Sequence, residues 1–252
     1  MRKRKIWSYI RNFGIFHGLY LFITIRKSKN SGTIRFKLPG MAGAVFLRRD
    51  GSDFQVFEEI FIDEEYAGGN LPARADYIID AGANIGLFTL LMLKRYPKAT
   101  IICIEPESTN FELLEKNVSS YRNVHCLKKA LWHEGVSLMI KNRDSANWAF
   151  EITEQKIARE AEITALTMAE LITGFGLPCI DLIKIDIEGS EKELFSANLD
   201  WLAITKQVIV EIHEDTRPGA HQAVMDALLS RNFTFVQSGP LYFFSQRTAG
   251  NA

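Results

Sequence analysis

YIIDAGANIGLFTLLML, residues 77–93, decides the fold of this chain. A short apolar strand from Tyr77 to Asp80 runs into a turn holding Gly82 and Gly86, and an apolar helix is predicted to begin near Asn84 or Ile85. Strand, glycine turn and helix in this order open a parallel β-α-β unit of the nucleotide-binding type. Gly82 lets the backbone come close to a ligand, and Gly86 lets the new helix sit tightly on the strand. The spacing D-A-G-A-N-I-G lacks the G-x-G-x-x-G of a dinucleotide site, so no pyrophosphate is implied at the helix N-terminus. Asp80 closes the strand, where a carboxylate repels phosphate and suits the ammonium of a methionine tail or a ribose hydroxyl.

Downstream the same alternation repeats. Strands are predicted at Tyr77 to Asp80, Thr100 to Glu105, Val124 to Lys128, Leu182 to Asp186 and Val208 to Ile212, with helices after the first, second, fourth and fifth. Right-handed crossovers place those helices on both faces of the sheet. The tail FTFVQSGPLYFFS reads as two antiparallel strands. Residues 75–252 therefore read as an α/β domain, a doubly wound, mostly parallel sheet with a C-terminal antiparallel hairpin.

Upstream, residues 31–74 read as a small β/α preface or lid. TIRFKL and AVFLRR alternate like strands, Pro39-Gly40 and Asp50-Gly51 mark turns, and FQVFEEIFIDEEY reads as a helix burying Val56, Ile60 and Phe57. Residues 1–30 form a basic, aromatic helical segment, with Arg2, Lys3, Arg4 and Lys5 before the apolar run and Arg26 and Lys27 after it. Such a helix packs on its own domain or a twin subunit in a homo-oligomer, or makes peripheral contact with a membrane. The uncharged stretch from Asn12 to Ile25 is shorter than the roughly 20 residues a membrane span needs. Arg11, Asn12 and His17 interrupt any secretory pattern, and no small-residue cleavage site follows.

Composition narrows the class. Of 252 residues, 47% are hydrophobic and 24% charged, the balance of a folded globular chain. Thirty basic residues balance thirty acidic ones, so no global field points to nucleic acid. Cys103, Cys126 and Cys179 lie far apart and form no C-x-x-C pair, which suggests neither disulfides nor zinc and fits a reducing cytoplasm.

Two further motifs carry chemistry. Glu105, in CIEPES, lies 25 residues beyond Asp80 at the end of the second strand, where doubly wound folds place a ribose-binding acid. Its two oxygens suit both ribose hydroxyls, and Pro106 and Ser108 then open the next helix. In IDLIKIDIEGSEKELF, Lys184, Asp186 and Glu188 alternate with Ile183, Ile185 and Ile187, so the three charges are expected on one face. A buried Lys184 requires a carboxylate or hydrogen-bonding partner, and Asp186 is too near in sequence to be the sole candidate.

DAGANIG, IEPE, DLIKIDIEGSE and VIVEIH, taken together, resemble the FkbM-type methyltransferase family from about Glu58 to Phe235, the IKIDIEG run being the most specific. The resemblance implies a class I methyltransferase (Rossmann-like) sheet, S-adenosyl-L-methionine as cofactor, and O-methylation of a sugar, glycan or polyketide-like small molecule. It also implies that Asp80, Gly82, Asn84, Gly86 and Glu105 bind the cofactor, with Pro106 and Ser108 beside them, and that Asp186, Glu188 and Gly189 frame the reacting end. One departure is Thr167 in ALTMAEL, where the family usually has an acid; a helix cap there falls to threonine.

Ligands in such sheets sit outside the carboxyl ends of the strands, which gathers Asp80, Glu105, Asp186, Glu188, Glu211 and His213 on one rim. His213 is the favoured proton acceptor, because imidazole titrates near neutrality. Asp186 or Glu188 serves instead, or orients acceptor hydroxyls. A third arrangement uses Asp186, Glu188, Glu211 and His213 as ligands of a divalent ion, although no resident metal is assigned. Trp132, His133 and Trp148 either contact adenine or sugar rings or fill core. The missing third glycine and Asp80 argue against the rival NAD-dependent oxidoreductase or epimerase. The absence of an Asn-Pro-Pro-Tyr or Asp-Pro-Pro-Tyr motif argues against a nucleic-acid methyltransferase. A membrane-associated binding module without catalysis is the non-enzymatic alternative.

Overall fold

The computed structural model describes residues 2–26, 32–135, 137–140, 152–153 and 163–247. The chain opens with α1 (Arg2–Phe13) and α2 (Ile15–Arg26), a hairpin β1 (Thr33–Lys37) and β2 (Ala44–Arg48), and α3 (Asp53–Phe61). The doubly wound part follows with β3 (Tyr77–Ala81), α4 (Leu87–Arg95), β4 (Thr100–Ile104), α5 (Ser108–Val118) and β5 (Val124–Leu127). Four short strands come next, β6 (Ala130–Leu131), β7 (Ser137–Ile140), β8 (Ile152–Thr153) and β9 (Ile163–Leu166), forming a separate sheet in the order β6-β9-β7-β8. Then come α6 (Met168–Phe175), β10 (Leu182–Ile185), α7 (Glu191–Leu194), β11 (Gln207–Glu211), α8 (Ala220–Leu229) and the hairpin β12 (Phe233–Ser238) and β13 (Leu241–Gln246).

The main sheet runs β12-β13-β11-β10-β3-β4-β5. Strands β11, β10, β3, β4 and β5 pair in parallel, and β13 joins β11 antiparallel. The chain leaves β3 toward β5 and returns to β10 on β3's other side, so the strand order reverses there and a crevice opens at the carboxyl ends. Fully apolar strands are what a sheet covered on both faces requires. Ile78, Ile101, Leu182 and Ile209 join one core with α3 and α4 residues, while Ile79, Ile102, Ile183 and Val208 join the other with α6 and α8 residues.

The predicted strands fall where expected, but the motif ends are turns. β10 stops at Ile185, leaving Asp186 outside it, and Glu188 (φ 53°) and Gly189 (φ 96°) turn left-handed, so the even-numbered charges do not share one strand face. The first helix starts at Leu87 rather than Asn84 or Ile85, because Gly82, Asn84 and Gly86 all take positive φ and keep the turn unwound. The helix predicted for FQVFEEIFIDEEY ends at Phe61. Left-handed Glu64 breaks it, and Glu65–Gly68 makes a separate 3-10 turn. Thr167 does cap a helix, α6, which the predicted strand-helix order does not include, its hydroxyl accepting from the Glu170 N–H while the Glu170 carboxylate accepts from the Thr167 N–H.

The first segment is two helices broken at Gly14 (φ 77°), not one. It packs on α3: Lys5 and Tyr9 both bond Glu58, and Asn12 donates to the carbonyls of Phe61 and Ile62. Tyr9 and Leu21 are buried in the same core as Phe57. The preface is tied to α5 in turn: Arg48 pairs with buried Asp53 and donates to Asn110, and the Phe46 N–H donates to Asn117. One wall of the crevice is thereby fixed by a segment remote in sequence.

Candidate active site

A cavity of about 300 Å³ fills the crevice between β3 and β10, bounded by the preface on its outer side. Gly82, Asn84, Glu105 and Pro106 line it from the turns after β3 and β4, Asp186, Glu188, Glu211 and His213 from the ends of β10 and β11, and Gln55, Glu59, Glu65 and Tyr66 from the preface. Of the residues expected to hold the cofactor, Asp80, Gly86 and Ser108 do not line it.

Lys184 explains the position of Asp80. The two stand opposite each other in the β3–β10 register, so their side chains share a face. Lys184 Nζ donates to the Gly82 carbonyl at 2.7 Å and lies 3.1 Å from Asp186 and 3.7 Å from Asp80. Asp80 is wholly buried and accepts from the Thr89 hydroxyl. Its carboxylate stands beneath the turn and balances the buried lysine. Burial opposes the charge on Lys184, yet Asp186 and Asp80 hold its ammonium above the ordinary range.

Gly82 has no room for a side chain, since a Cβ there would lie 1.7 Å from the Asp186 carbonyl. The two loops consequently meet backbone to backbone. A Cβ on Gly86 would press on Leu114 of α5 at 2.7 Å, so this glycine makes room for α5 against the turn. Ser108 begins α5, but the cap is Glu107, whose carboxylate accepts from the Asn110 N–H.

Glu105 is held by two loops: one oxygen accepts from the Asn84 N–H of the glycine turn at 2.8 Å and the other from the Glu107 N–H of its own loop at 2.9 Å. Each oxygen keeps a lone pair for the cavity. Burial pushes this carboxyl up to about 7 against the pull of those two N–H groups. Asn84 Oδ1 is buried with no hydrogen-bond partner among the described residues, an acceptor awaiting a donor. A carboxylate, an orphaned amide oxygen, a close-approach glycine and apolar Ile104, Ala130 and Leu131 fit a ribose and a flat base. Trp132 is buried beside Ala130, Ile163 and Ala165 and fills core, and His133 stays outside the cavity lining. Trp148 lies outside the described residues.

After β11, His213 Nδ1 sits 3.0 Å from Glu191 Oε1, while Nε2 faces Glu188 at 3.4 Å and Asp186 at 3.9 Å. Glu191 is fully buried and also accepts from the N–H groups of Ile187 and Gly189, so the loop after β10 fixes the imidazole. Burial disfavours the imidazolium, but the bond to Glu191 and the surrounding carboxylates raise His213 to about 9. Glu188 is pushed up to about 8 by burial and by Asp186, and Glu65 to about 7 by burial and Glu211. Asp186, Glu211 and His213 each offer an atom within 4.8 Å of the others, a spacing that accommodates a cation. Sequence reasoning missed Glu65, Tyr66 and Glu191.

A doubly wound sheet with its site at the strand reversal, a glycine turn without phosphate geometry and a ribose-type acid after the second parallel strand define a class I S-adenosylmethionine-dependent methyltransferase. Residues 80–235 match the family described as the methyltransferase FkbM domain. The chain belongs to the FkbM methyltransferase family. It is 26% identical to methyltransferase sdnD of Sordaria araneosa, over 69% of this chain and 79% of that protein. It is 25% identical to the 31-O-demethyl-FK506 methyltransferase FkbM of Streptomyces tacrolimicus, over 85% and 97% of the two chains. It is 26% identical to the hexuronic acid methyltransferase AglP of Haloferax volcanii, over 63% and 65%.

Proposed function

We propose that this enzyme methylates a hydroxyl oxygen of a neutral, polyhydroxylated small molecule, a sugar or polyketide-like compound, with His213 as proton acceptor. The Glu191–His213 contact carries the reading. A buried carboxylate fixes the ring and turns Nε2 toward the cavity, which is how a general base is oriented. When bound, S-adenosylmethionine supplies an electrophilic methyl group on its sulfonium. Glu105, Asn84 and the Gly82 backbone are the residues to hold it. Asp186 and Glu188 accept hydrogen bonds from acceptor hydroxyls, bringing one oxygen beside Nε2.

Oxygen as the target draws on the Streptomyces tacrolimicus relative, whose substrate is named as an O-demethyl compound. Neutrality of the acceptor draws on the cavity itself, where the lining cations Lys184 and His213 are already engaged by Asp186, Glu188 and Glu191 and stand among further acids. Such a lining attracts a sulfonium and hydroxyl donors and repels carboxylates and phosphates. A panel of neutral, carboxylated and phosphorylated sugars, read by S-adenosylhomocysteine release, tests it. Turnover on a neutral member and at least about tenfold less on its charged analogues is expected; preference for an anionic acceptor contradicts it.

The spacing of Asp186, Glu211 and His213 favours a second reading, in which a divalent cation binds the acceptor hydroxyl and lowers its pKa. Activity lost to a chelator and restored by magnesium or manganese would favour it over direct proton transfer to His213.

A further inference from the structure

The segment ahead of the catalytic sheet has two apolar sides, of which the fold uses one. Tyr9, Leu21 and Ile25 face the core. Trp7, Ile15, Phe16, Leu19, Tyr20 and Ile23 face solvent, Phe16 with 91% of its surface exposed and Trp7 with 68%. These six are two thirds of the nine exposed large hydrophobic residues among the described residues, so the apolar surface is concentrated here. On α2 they recur at 15, 16, 19, 20 and 23, the spacing of one helix face. Exposed apolar surface gathered in this way marks a docking site.

Charge identifies what docks. Residues 1–29 hold eight lysines and arginines and no acid, whereas the whole chain is formally neutral, so an excess of eight acids lies elsewhere. Arg2, Lys3 and Arg4 open α1 and Lys27 and Lys29 follow α2. A second copy meeting this face would set one cationic segment against another. Aromatic and aliphatic side chains bordered by lysine and arginine suit an anionic lipid surface, where the apolar face enters the acyl boundary and the cations meet headgroups. Neither helix is long and apolar enough to cross a membrane.

We propose that the α1–α2 pair is a docking element for anionic membrane surfaces. α3 connects it to the site: Glu58 holds α1 while Gln55, Val56 and Glu59 line the cavity, so a docked enzyme keeps its preface wall close to the bilayer.

The test is flotation of the full chain with phosphatidylcholine vesicles, with and without phosphatidylglycerol, in wild type and in the triple variant Trp7→Ser, Phe16→Ser, Tyr20→Ser. Wild type is expected to bind the anionic vesicles at least about tenfold better than pure phosphatidylcholine, with salt weakening binding and the variant losing at least about tenfold. S-adenosylmethionine affinity, measured on the same samples, is expected to stay unchanged and reports folding. Should the variant misfold, a vesicle-dependent shift of Trp emission in wild type that Trp7→Phe abolishes gives the same answer. The proposal is overturned by a wild type that binds S-adenosylmethionine but not anionic vesicles, by equal binding to both vesicle types, or by a dimer that the triple variant dissolves.

Discussion

Lys184 and Gly82 lie 102 residues apart in sequence and are joined by a 2.7 Å hydrogen bond from the lysine ammonium to the glycine carbonyl. Through it the central strand β10 fastens the glycine turn that lines the cavity, and Asp80 below supplies the balancing charge. Removing the cation leaves a buried carboxylate uncompensated. Lys184→Met is therefore expected to destabilise the fold by about 3–5 kcal/mol in chemical denaturation, and a further Asp80→Asn change to recover part of that loss. A single variant as stable as wild type would show that the pair is structurally dispensable.

Glu105→Ala is expected to weaken S-adenosylmethionine binding by about 1.5–3 kcal/mol in calorimetry, since it removes a charged acceptor from the cavity and frees the Asn84 and Glu107 N–H groups that it organises. Glu105→Gln keeps an acceptor but turns donors toward one of those N–H groups, and falls between. Unchanged affinity in the alanine variant would remove Glu105 from the cofactor site.

Much of this arrangement is legible in the sequence, and what is not depends on contacts the sequence does not order. Apolar strands ending in Asp80, Glu105, Asp186 and Glu211 place a rim wherever the topology goes, because parallel strands end on one side. The pairing of Asp80 with Lys184 is not legible because it depends on the β3–β10 register, which sets the two opposite each other across a hundred residues. Glu65 and Tyr66 were illegible for a different reason: one left-handed residue, Glu64, turns an apparently continuous helix into a separate turn aimed at the cavity. Glu191 reads as an ordinary helix-start acid until the loop after β10 folds it under His213.

The pH response has two opposed parts. His213 titrates at about 9 in the folded protein against an ordinary value of 6.5, so its charge contributes stability that is complete below 6.5 and is lost as pH climbs through about 9. A proton acceptor must be neutral, so kcat/KM is expected to rise over the same interval while stability falls. His213→Gln should flatten the stability profile and remove the rising limb of the rate. A rate indifferent to pH across this window would assign the proton to another group.

Asp186→Asn is expected to lower turnover at least about tenfold while S-adenosylmethionine affinity stays within about threefold, because Asp186 lies 3.9 Å from His213 Nε2 and the amide keeps its shape. Full activity would reduce Asp186 to a partner of Lys184.

Incubating the purified chain with S-adenosylmethionine carrying a trideuterated methyl group and a small-molecule cell extract tests the account at its centre. The prediction is a neutral product that gains one trideuteromethyl group on oxygen, located by fragmentation and absent with His213→Gln. Label found on nitrogen or carbon, or undiminished in the His213 variant, would contradict it.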